Sequence, residues 1–237
     1  MSGILTIAAT PIGNAGDASA RLREALVQAD VIACEDTRKL QRLLGDLSLK
    51  TNARFIVYHN VNERKQSTKL LSSLLAGESV LLITDAGTPL VSDPGFALVR
   101  GAIAAGVTVG VLPGPSAALA ALTLSGLPPD RFVFEGFLPK KSGARKSRLK
   151  ELSTDPRTLV IYETSRNTQR TLQELTEFFD SHRQVFIARE LTKVHEEQIR
   201  GELGEVLDSL GGRVLKGEVV LVIEGLTRAN RLKREKT

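Results

Sequence analysis

The side chains best able to do chemistry fall in five short clusters in the first half of the chain. They are Thr10-Pro11-Ile12-Gly13-Asn14, Glu35-Asp36-Thr37-Arg38, Tyr58-His59-Asn60, Asp85-Ala86-Gly87-Thr88-Pro89 running on to Ser92-Asp93-Pro94-Gly95, and Pro113-Gly114-Pro115-Ser116-Ala117. Each closes a short apolar run, and each mixes turn formers with a carboxylate, an imidazole, a guanidinium or small residues. Carboxylates and imidazoles can move protons, and a nearby cation can stabilise a developing alkoxide. The chain has no G-x-x-x-x-G-K-S/T loop and no G-x-G-x-x-G after its first strand-like run, so neither fingerprint of a phosphate-cradling loop is present. It also lacks the G-x-S-x-G turn of a serine nucleophile. His59, His182 and His195 are too scattered for a metal-ligand spacing, so no metal is expected. Small residues and backbone amides suit a folded, zwitterionic ligand without phosphates. S-Adenosylmethionine is one ligand of that description among several. Any one cluster also reads as ordinary turn chemistry, because strand ends need such residues; five of them on one edge argue for a site.

The elements that must position these clusters alternate in type. Ile4 to Ala9, Val31 to Glu35, Arg54 to His59, Val80 to Asp85 and Val107 to Leu112 read as strands buried on both faces. Between them, Leu22, Ala25, Leu26 and Ala29 follow helical spacing, as do Leu70, Leu71, Leu74 and Leu75 with Gly77 as a stop. Leu98, Ile103 and Ala105 continue the pattern. Strand and helix in series predict a mostly parallel sheet covered by helices, and ligands of such sheets bind at the carboxyl ends of the strands. Gly126-Leu127-Pro128-Pro129-Asp130 is the expected linker, since consecutive prolines continue neither a helix nor a central strand. Beyond it, strands are expected at Phe132 to Phe137, Leu159 to Glu163, Val185 to Glu190 and Glu218 to Glu224, with helices at Thr168 to Phe179 and Leu203 to Leu210. The expected organisation is therefore an α/β domain over 1–126, a second α/β domain with a mixed sheet over 127–227, and a basic tail over 228–237.

Composition narrows the function classes. The formal charge of +5 favours an anionic partner such as nucleic acid. Aromatic residues make up 4% of the chain with no Trp, which argues against a base-stacking platform for single strands. The single cysteine, Cys34, excludes an internal disulfide and fits a reducing, cytoplasmic setting. No basic-then-apolar leader opens the chain. Gly101 to Leu127 is uncharged and long enough to span a bilayer, but Pro113-Gly114-Pro115 breaks it. It reads as helix, buried strand and helix, so no membrane association is expected.

Six motifs in order carry a family resemblance. Ala9-Thr-Pro-Ile-Gly-Asn14, Glu35-Asp-Thr-Arg38, Asp85-Ala-Gly-Thr-Pro89 with Ser92-Asp-Pro-Gly95, Leu112-Pro-Gly-Pro-Ser-Ala117, Phe134-Glu-Gly-Phe-Leu-Pro139 and Ala188-Arg-Glu-Leu-Thr-Lys193 resemble the bacterial ribosomal RNA small subunit methyltransferase I family. The resemblance runs from about Leu5 to Gly225. It implies two α/β domains of the tetrapyrrole methylase type, with a cleft between them for S-adenosyl-L-methionine. It implies 2′-O-methylation of a cytidine of 16S rRNA in the decoding region of the small ribosomal subunit, by a homodimer. Ile12, Gly13, Gly87, Thr88, Pro89, Pro115, Ser116 and Ala117 would line the cofactor site, with Tyr162, Glu163 and Ala188 from the second domain. Relatives often continue past this point into an additional C-terminal segment.

A ribose hydroxyl is a poor nucleophile, and an in-line displacement at a sulfonium methyl gains most from positioning. Glu35, Asp36, Arg38 and Lys193 are the expected polar wall facing the ribose, with His59 and Glu190 as further candidates. Each has a structural reading beside the chemical one. Glu35 and Asp36 could cap the helix that follows, Arg38 could hold a phosphate, His59 could be a hydrogen-bonded strand-end group, and Glu190 could simply pair with Lys193. Lys140, Lys141, Arg145, Lys146, Arg148 and Lys150 form a dense basic tract containing Gly143. The expectation is a mobile flap whose Lys140, Lys141, Arg145, Lys146 and Arg148 hold RNA backbone, the plainer reading being a solvated loop and helix start. Competing functions are a tetrapyrrole methylase of the same fold, a protein methylase like the diphthine synthases, and a non-catalytic RNA-binding subunit. The basic tract argues against the first, and intact motifs at each strand end argue against the last.

Overall fold

In a computed structural model, residues 2–227 are described. They fall into two compact units that meet between Ser116 and Ala117. The basic tail expected over 228–237 lies outside the described residues.

The first unit is a five-stranded sheet in the order β3-β2-β4-β1-β5. Its strands are β1 (Ile4–Ala8), β2 (Val31–Cys34), β3 (Arg54–Val57), β4 (Val80–Ile83) and β5 (Thr108–Leu112). All four ladders are parallel, so the carboxyl ends of the strands share one edge. Helices α1 (Ala20–Gln28) and α2 (Thr37–Asp46) cover one face, and α3 (Glu63–Leu75) and α4 (Phe96–Ala104) the other. The pattern of the strands decides this arrangement. Val31, Ile32, Ala33 and Cys34 are all buried, as are Val80, Leu81, Leu82 and Ile83, and alternate residues feed two separate cores. Ile32, Leu81 and Ile83 pack with Leu22, Leu26 and Leu40; Val31, Val80 and Leu82 pack with Leu70, Leu74 and Leu98. Fully burying such side chains stabilises by roughly 1.5–3 kcal/mol each. Gly77, expected as a helix stop, lies just past α3 at φ +96°, where its N–H meets the Leu74 carbonyl.

The second unit begins with α5 (Ala117–Ser125) and holds a mixed sheet in the order β6-β7-β10-β8-β9. Its strands are β6 (Phe132–Phe137), β7 (Thr158–Thr164), β8 (Gln184–Arg189), β9 (Glu197–Glu202) and β10 (Glu218–Ile223). The β6–β7 ladder is parallel and the other three are antiparallel. Helices α6 (Ser142–Leu152), α7 (Thr168–Phe178) and α8 (Leu203–Leu210) complete it. The mixed sheet matches expectation, but the boundary lies ten residues before the expected 126/127 break. The reason is α5, whose Ala118, Ala121 and Leu122 are buried and which packs on β7, β8 and β10. The uncharged stretch from Gly101 to Leu127 resolves into the end of α4, β5 and α5, as expected. No described helix is long and apolar enough to cross a membrane.

Two elements differ from the sequence reading. The basic tract is a helix, α6, and not a mobile flap: its Arg, Lys and Leu residues favour helix, and Leu149 and Leu152 are buried. Strand β9 had no apolar run to announce it, because Ile199 is its sole aliphatic residue at the sheet edge.

Candidate active site

Three of the five clusters are tied together at the carboxyl edge of the first sheet. Thr10, after β1, and Gly87, after β4, form an antiparallel bridge: Thr10 N–H donates to the Gly87 carbonyl at 2.8 Å, and Gly87 N–H donates back at 3.1 Å. The Thr88 hydroxyl donates to the Pro115 carbonyl at 3.0 Å, which adds the loop after β5. Gly87 has φ +86°, a left-handed backbone that strains other residues. A Cβ there would lie 3.4 Å from Ile12 Cγ2 and 3.8 Å from the Pro115 carbonyl oxygen. Ile12, Gly87, Thr88 and Pro115 are thus neighbours, with Pro89 buried beside them and Gly13 exposed. Ser116 ends the first unit, and Ala117 begins α5 in the second.

A second cluster joins the ends of β2 and β4. The Thr84 hydroxyl lies 2.6 Å from Glu35 Oε1 and 2.7 Å from Asp93 Oδ2. Asp85 N–H also donates to Glu35 Oε1, at 3.2 Å, and Asp36 N–H donates to Asp85 Oδ1 at 3.2 Å. Lys39 Nζ pairs with Asp85 at 2.8 Å. Glu35 is therefore no helix cap; Asp36 is. Its Oδ1 accepts from Arg38 N–H at 2.8 Å at the start of α2, and its carboxylate takes the Arg38 guanidinium in two-pronged fashion. The hydrogen bonds from Arg38 hold the Asp36 carboxyl down at about 2. The Arg38 side chain is 88% exposed despite this pair.

Around this cluster the backbone is forced. Leu90 and Ser92 adopt φ +71° and +67°, and Gly95 φ +139°. A Cβ at Gly95 would lie 2.8 Å from Leu90 Cδ1, so this position admits glycine alone without rearrangement. Gly95 and Ala97 N–H groups, at the start of α4, donate to Glu63 Oε1 at 2.9 and 3.2 Å, so a carboxylate from α3 supplies the missing cap. Glu63 Oε1 also accepts from the buried Tyr58 hydroxyl at 3.2 Å. Asp93 was legible only as a member of the Ser92-Asp-Pro-Gly95 cluster, and no sequence pattern marks Leu90 or Glu63. His59 N–H donates to the Asn62 side chain at 2.9 Å, its ring Nε2 lies 3.4 Å from Asn62 Nδ2, and its ring Nδ1 is buried without a hydrogen-bond partner among the described residues.

In the second unit the expected residues separate. The Lys193 ammonium bridges Glu190 and Glu218, at 2.9 Å to each. Burial opposes its charge, and the two carboxylates outweigh that and raise its pKa. Glu190 and Thr192 sit at φ +50° and +64°, so the Glu190–Lys193 pair closes a strained turn. Tyr162 meets Phe134 and Phe137 edge to face, with ring centroids 5.0 and 5.6 Å away. Ala188 is 1% exposed in the middle of the sheet. Glu163, expected at the cofactor, is 5% exposed, and its carboxylate accepts from Arg145 at 3.1 Å, Thr171 at 2.6 Å and Thr164 N–H at 2.7 Å. Arg145, expected to grip RNA, is instead 5% exposed and ion-paired to both Glu163 and Glu174, which withdraws it from any RNA surface. At i, i+4 and i+7 with Leu149 and Leu152 it belongs to the buried stripe of α6. Arg148 pairs with Glu135 and Glu151, and Lys146 with Glu177, while Lys140 and Lys141 are exposed.

The model for the tetrapyrrole (corrin/porphyrin) methylases matches residues 5–207. Ribosomal RNA small subunit methyltransferase I of Mycobacterium tuberculosis is 45% identical over 94% of this chain and 78% of its own length. The same-named protein of Xylella fastidiosa is 44% identical over 94% of this chain and 82% of its own. This chain belongs to the ribosomal RNA small subunit methyltransferase I family, within the tetrapyrrole methylases. Solved structures share the family's fold at lower identity. The methyltransferase CobJ aligns with a TM-score of 0.72 at 21% identity, covering 94% of this chain and 95% of that one. Uroporphyrin-III C-methyl transferase from Thermus thermophilus, solved in complex with S-adenyl homocysteine, aligns with a TM-score of 0.64 at 21% identity, covering 93% and 96%.

Proposed function

We propose that this chain transfers a methyl group from S-adenosylmethionine to small-subunit ribosomal RNA, with the ribose 2′-hydroxyl of a cytidine in the 16S decoding region as acceptor. The observation that carries the reading is the 45% identity to a small-subunit methyltransferase along 94% of the chain, against 21% to the methyltransferase CobJ and to the uroporphyrin-III C-methyl transferase of like fold. The proposed setting is a homodimer in the bacterial cytoplasm.

The first-unit loops fit such a cofactor. Gly87 leaves the space a Cβ would fill beside Ile12, and Ile12 and Pro89 offer apolar surface. When bound, S-adenosylmethionine supplies an electrophilic methyl on a sulfonium. Ile12, Gly13, Gly87, Thr88, Pro89, Pro115 and Ser116 would hold it, with Ala117 and Tyr162 extending the set. Glu163 and Ala188, both buried, serve as support beneath the strand ends. Glu35, Asp36, Arg38 and Lys193 remain the polar groups proposed for the ribose, Asp36 and Lys193 already paired within the protein. Exposed Lys140 and Lys141 on the leading edge of α6 would hold RNA phosphates, with Lys146 and Arg148 partly neutralised beside them.

The test has two arms. Calorimetry with S-adenosylhomocysteine should show binding that Gly87→Ala weakens. Labelled S-adenosylmethionine should pass its methyl to small subunits from cells lacking the enzyme, and not to uroporphyrinogen. Binding without transfer to subunits would leave the cofactor assignment and remove the RNA substrate.

A further inference from the structure

Thr84 lies between two carboxyl groups with one proton to give. Its hydroxyl oxygen is 2.6 Å from Glu35 Oε1 and 2.7 Å from Asp93 Oδ2, both distances of strong O–H···O hydrogen bonds. A single O–H can donate along only one of them. On the other side a lone pair would face a bare carboxylate, which is repulsive, so a second proton must sit on one of the two acids. Glu35 Oε1 already accepts the Asp85 N–H, so that oxygen is committed as an acceptor. Asp93 has no other hydrogen bond among the described residues, and it faces Glu35 and Asp85 as like charges. The proton therefore belongs to Asp93, which donates to Thr84, which in turn donates to Glu35.

We infer that Asp93 is a positioning residue that is protonated in the assembled site, and that its chain through Thr84 to Glu35 locks the loop carrying Gly87, Thr88 and Pro89. Three features make the lock consequential. Thr84 opens the loop and Asp93 nearly closes it, so their contact spans its base. The loop carries two left-handed residues, Leu90 and Ser92, whose cost some other interaction must offset. The far end is held by Glu63 on the Gly95 and Ala97 N–H groups, so Asp93 supplies the second anchor.

The charged groups facing Asp93 set the pH at which the lock opens. Burial, reinforced by the Glu35 and Asp85 charges and only partly offset by the hydrogen bond that Thr84 can donate to the ionised form, pushes the Asp93 carboxyl up to about 6. Lys39 and Arg38, from α2, are engaged by Asp85 and Asp36 and neutralise those charges in preference to that of Asp93. Because the folded value exceeds the ordinary one, the lock is complete at low pH and is lost as pH rises through about 6.

The inference rests on the proposed cofactor role of this loop, and two measurements keep the two apart. Carbon-13 NMR of the aspartate carboxyls, assigned with Asp93→Asn, should show Asp93 titrating near 6 in the ligand-free protein; titration in the ordinary range near 4 would overturn the shared proton. Calorimetry with S-adenosylhomocysteine between pH 5.5 and 8 should then show affinity falling by as much as about tenfold per pH unit above the transition, with proton uptake on binding. Asp93→Asn keeps a donor to Thr84 and should bind with a flat pH profile, whereas Thr84→Val and Asp93→Ala should bind weakly throughout. A wild-type profile as flat as that of Asp93→Asn would contradict the lock. Absence of binding at every pH would count against the cofactor role of the loop itself, and the NMR titration would still decide the proton.

Discussion

Glu35 and Asp36 are adjacent carboxylates that sequence could not tell apart, and three-dimensional partners separate them. Asp36 caps α2 and pairs with Arg38, whereas Glu35 turns to Thr84 and Asp85, 49 and 50 residues away. Partners at that distance leave no periodic trace. Gly87 was legible because only a residue tolerant of φ +86° fits a turn of this kind. Gly87→Ala should fold, lose about 1 kcal/mol of stability to backbone strain, and bind S-adenosylhomocysteine at least several-fold more weakly by calorimetry. Unchanged affinity in a folded variant would take Gly87 out of the cofactor site. At Gly217, with φ +96°, an added Cβ would collide with the Glu190 carboxylate. Gly217→Ala should therefore break the Glu190–Lys193–Glu218 cluster and lower the melting temperature.

Elements whose residues bury one repeating face were readable, and those defined by distant partners were not. β2 and β4 announced themselves as continuous apolar runs, and α1 and α3 by helical spacing. Helix α6 was misread because residue type was weighed over period: cations suggested solvent, while Arg145, Leu149 and Leu152 share a stripe. Two substitutions distinguish the roles along this helix. Arg145→Ala leaves Glu163 buried without its cation and Glu174 with Arg170 alone, and should cost about 3–5 kcal/mol in urea denaturation. Lys140→Ala with Lys141→Ala should leave stability within about 0.5 kcal/mol and weaken RNA binding. The salt dependence should flatten by about one unit of slope for each phosphate that is no longer neutralised. Equal RNA affinity in the double variant would move the RNA surface elsewhere. Helix α5 was recognised, but its allegiance to the second unit depends on β7, β8 and β10, which follow it in the chain.

The two units carry opposite pH responses. In the second, burial works against the Glu174 and Glu190 anions, but Arg145 and Arg170 on one, and the Glu218 N–H and Lys193 on the other, hold both below the ordinary value. Hydrogen bonds from Arg213 do the same for Glu197. Their stabilisation is present above the ordinary carboxylate range and is lost as pH falls through it. In the first unit Asp93 acts with the opposite sign, and the lowered carboxyls of Asp30 and Asp36 lie at the surface, where such pairs contribute little. Calorimetric unfolding should thus show the first unit losing stability as pH rises from about 4 to about 6, while the second loses it only toward acid. Two parallel pH profiles would contradict this division. Methyl transfer to RNA is tested most directly in one measurement. Small subunits from cells lacking the enzyme are incubated with this protein and labelled S-adenosylmethionine, and the RNA is digested and mapped by mass spectrometry. Label is expected on the ribose 2′-oxygen of a single cytidine of 16S RNA. Label on a base, on ribosomal protein, or nowhere despite measured cofactor binding would contradict it.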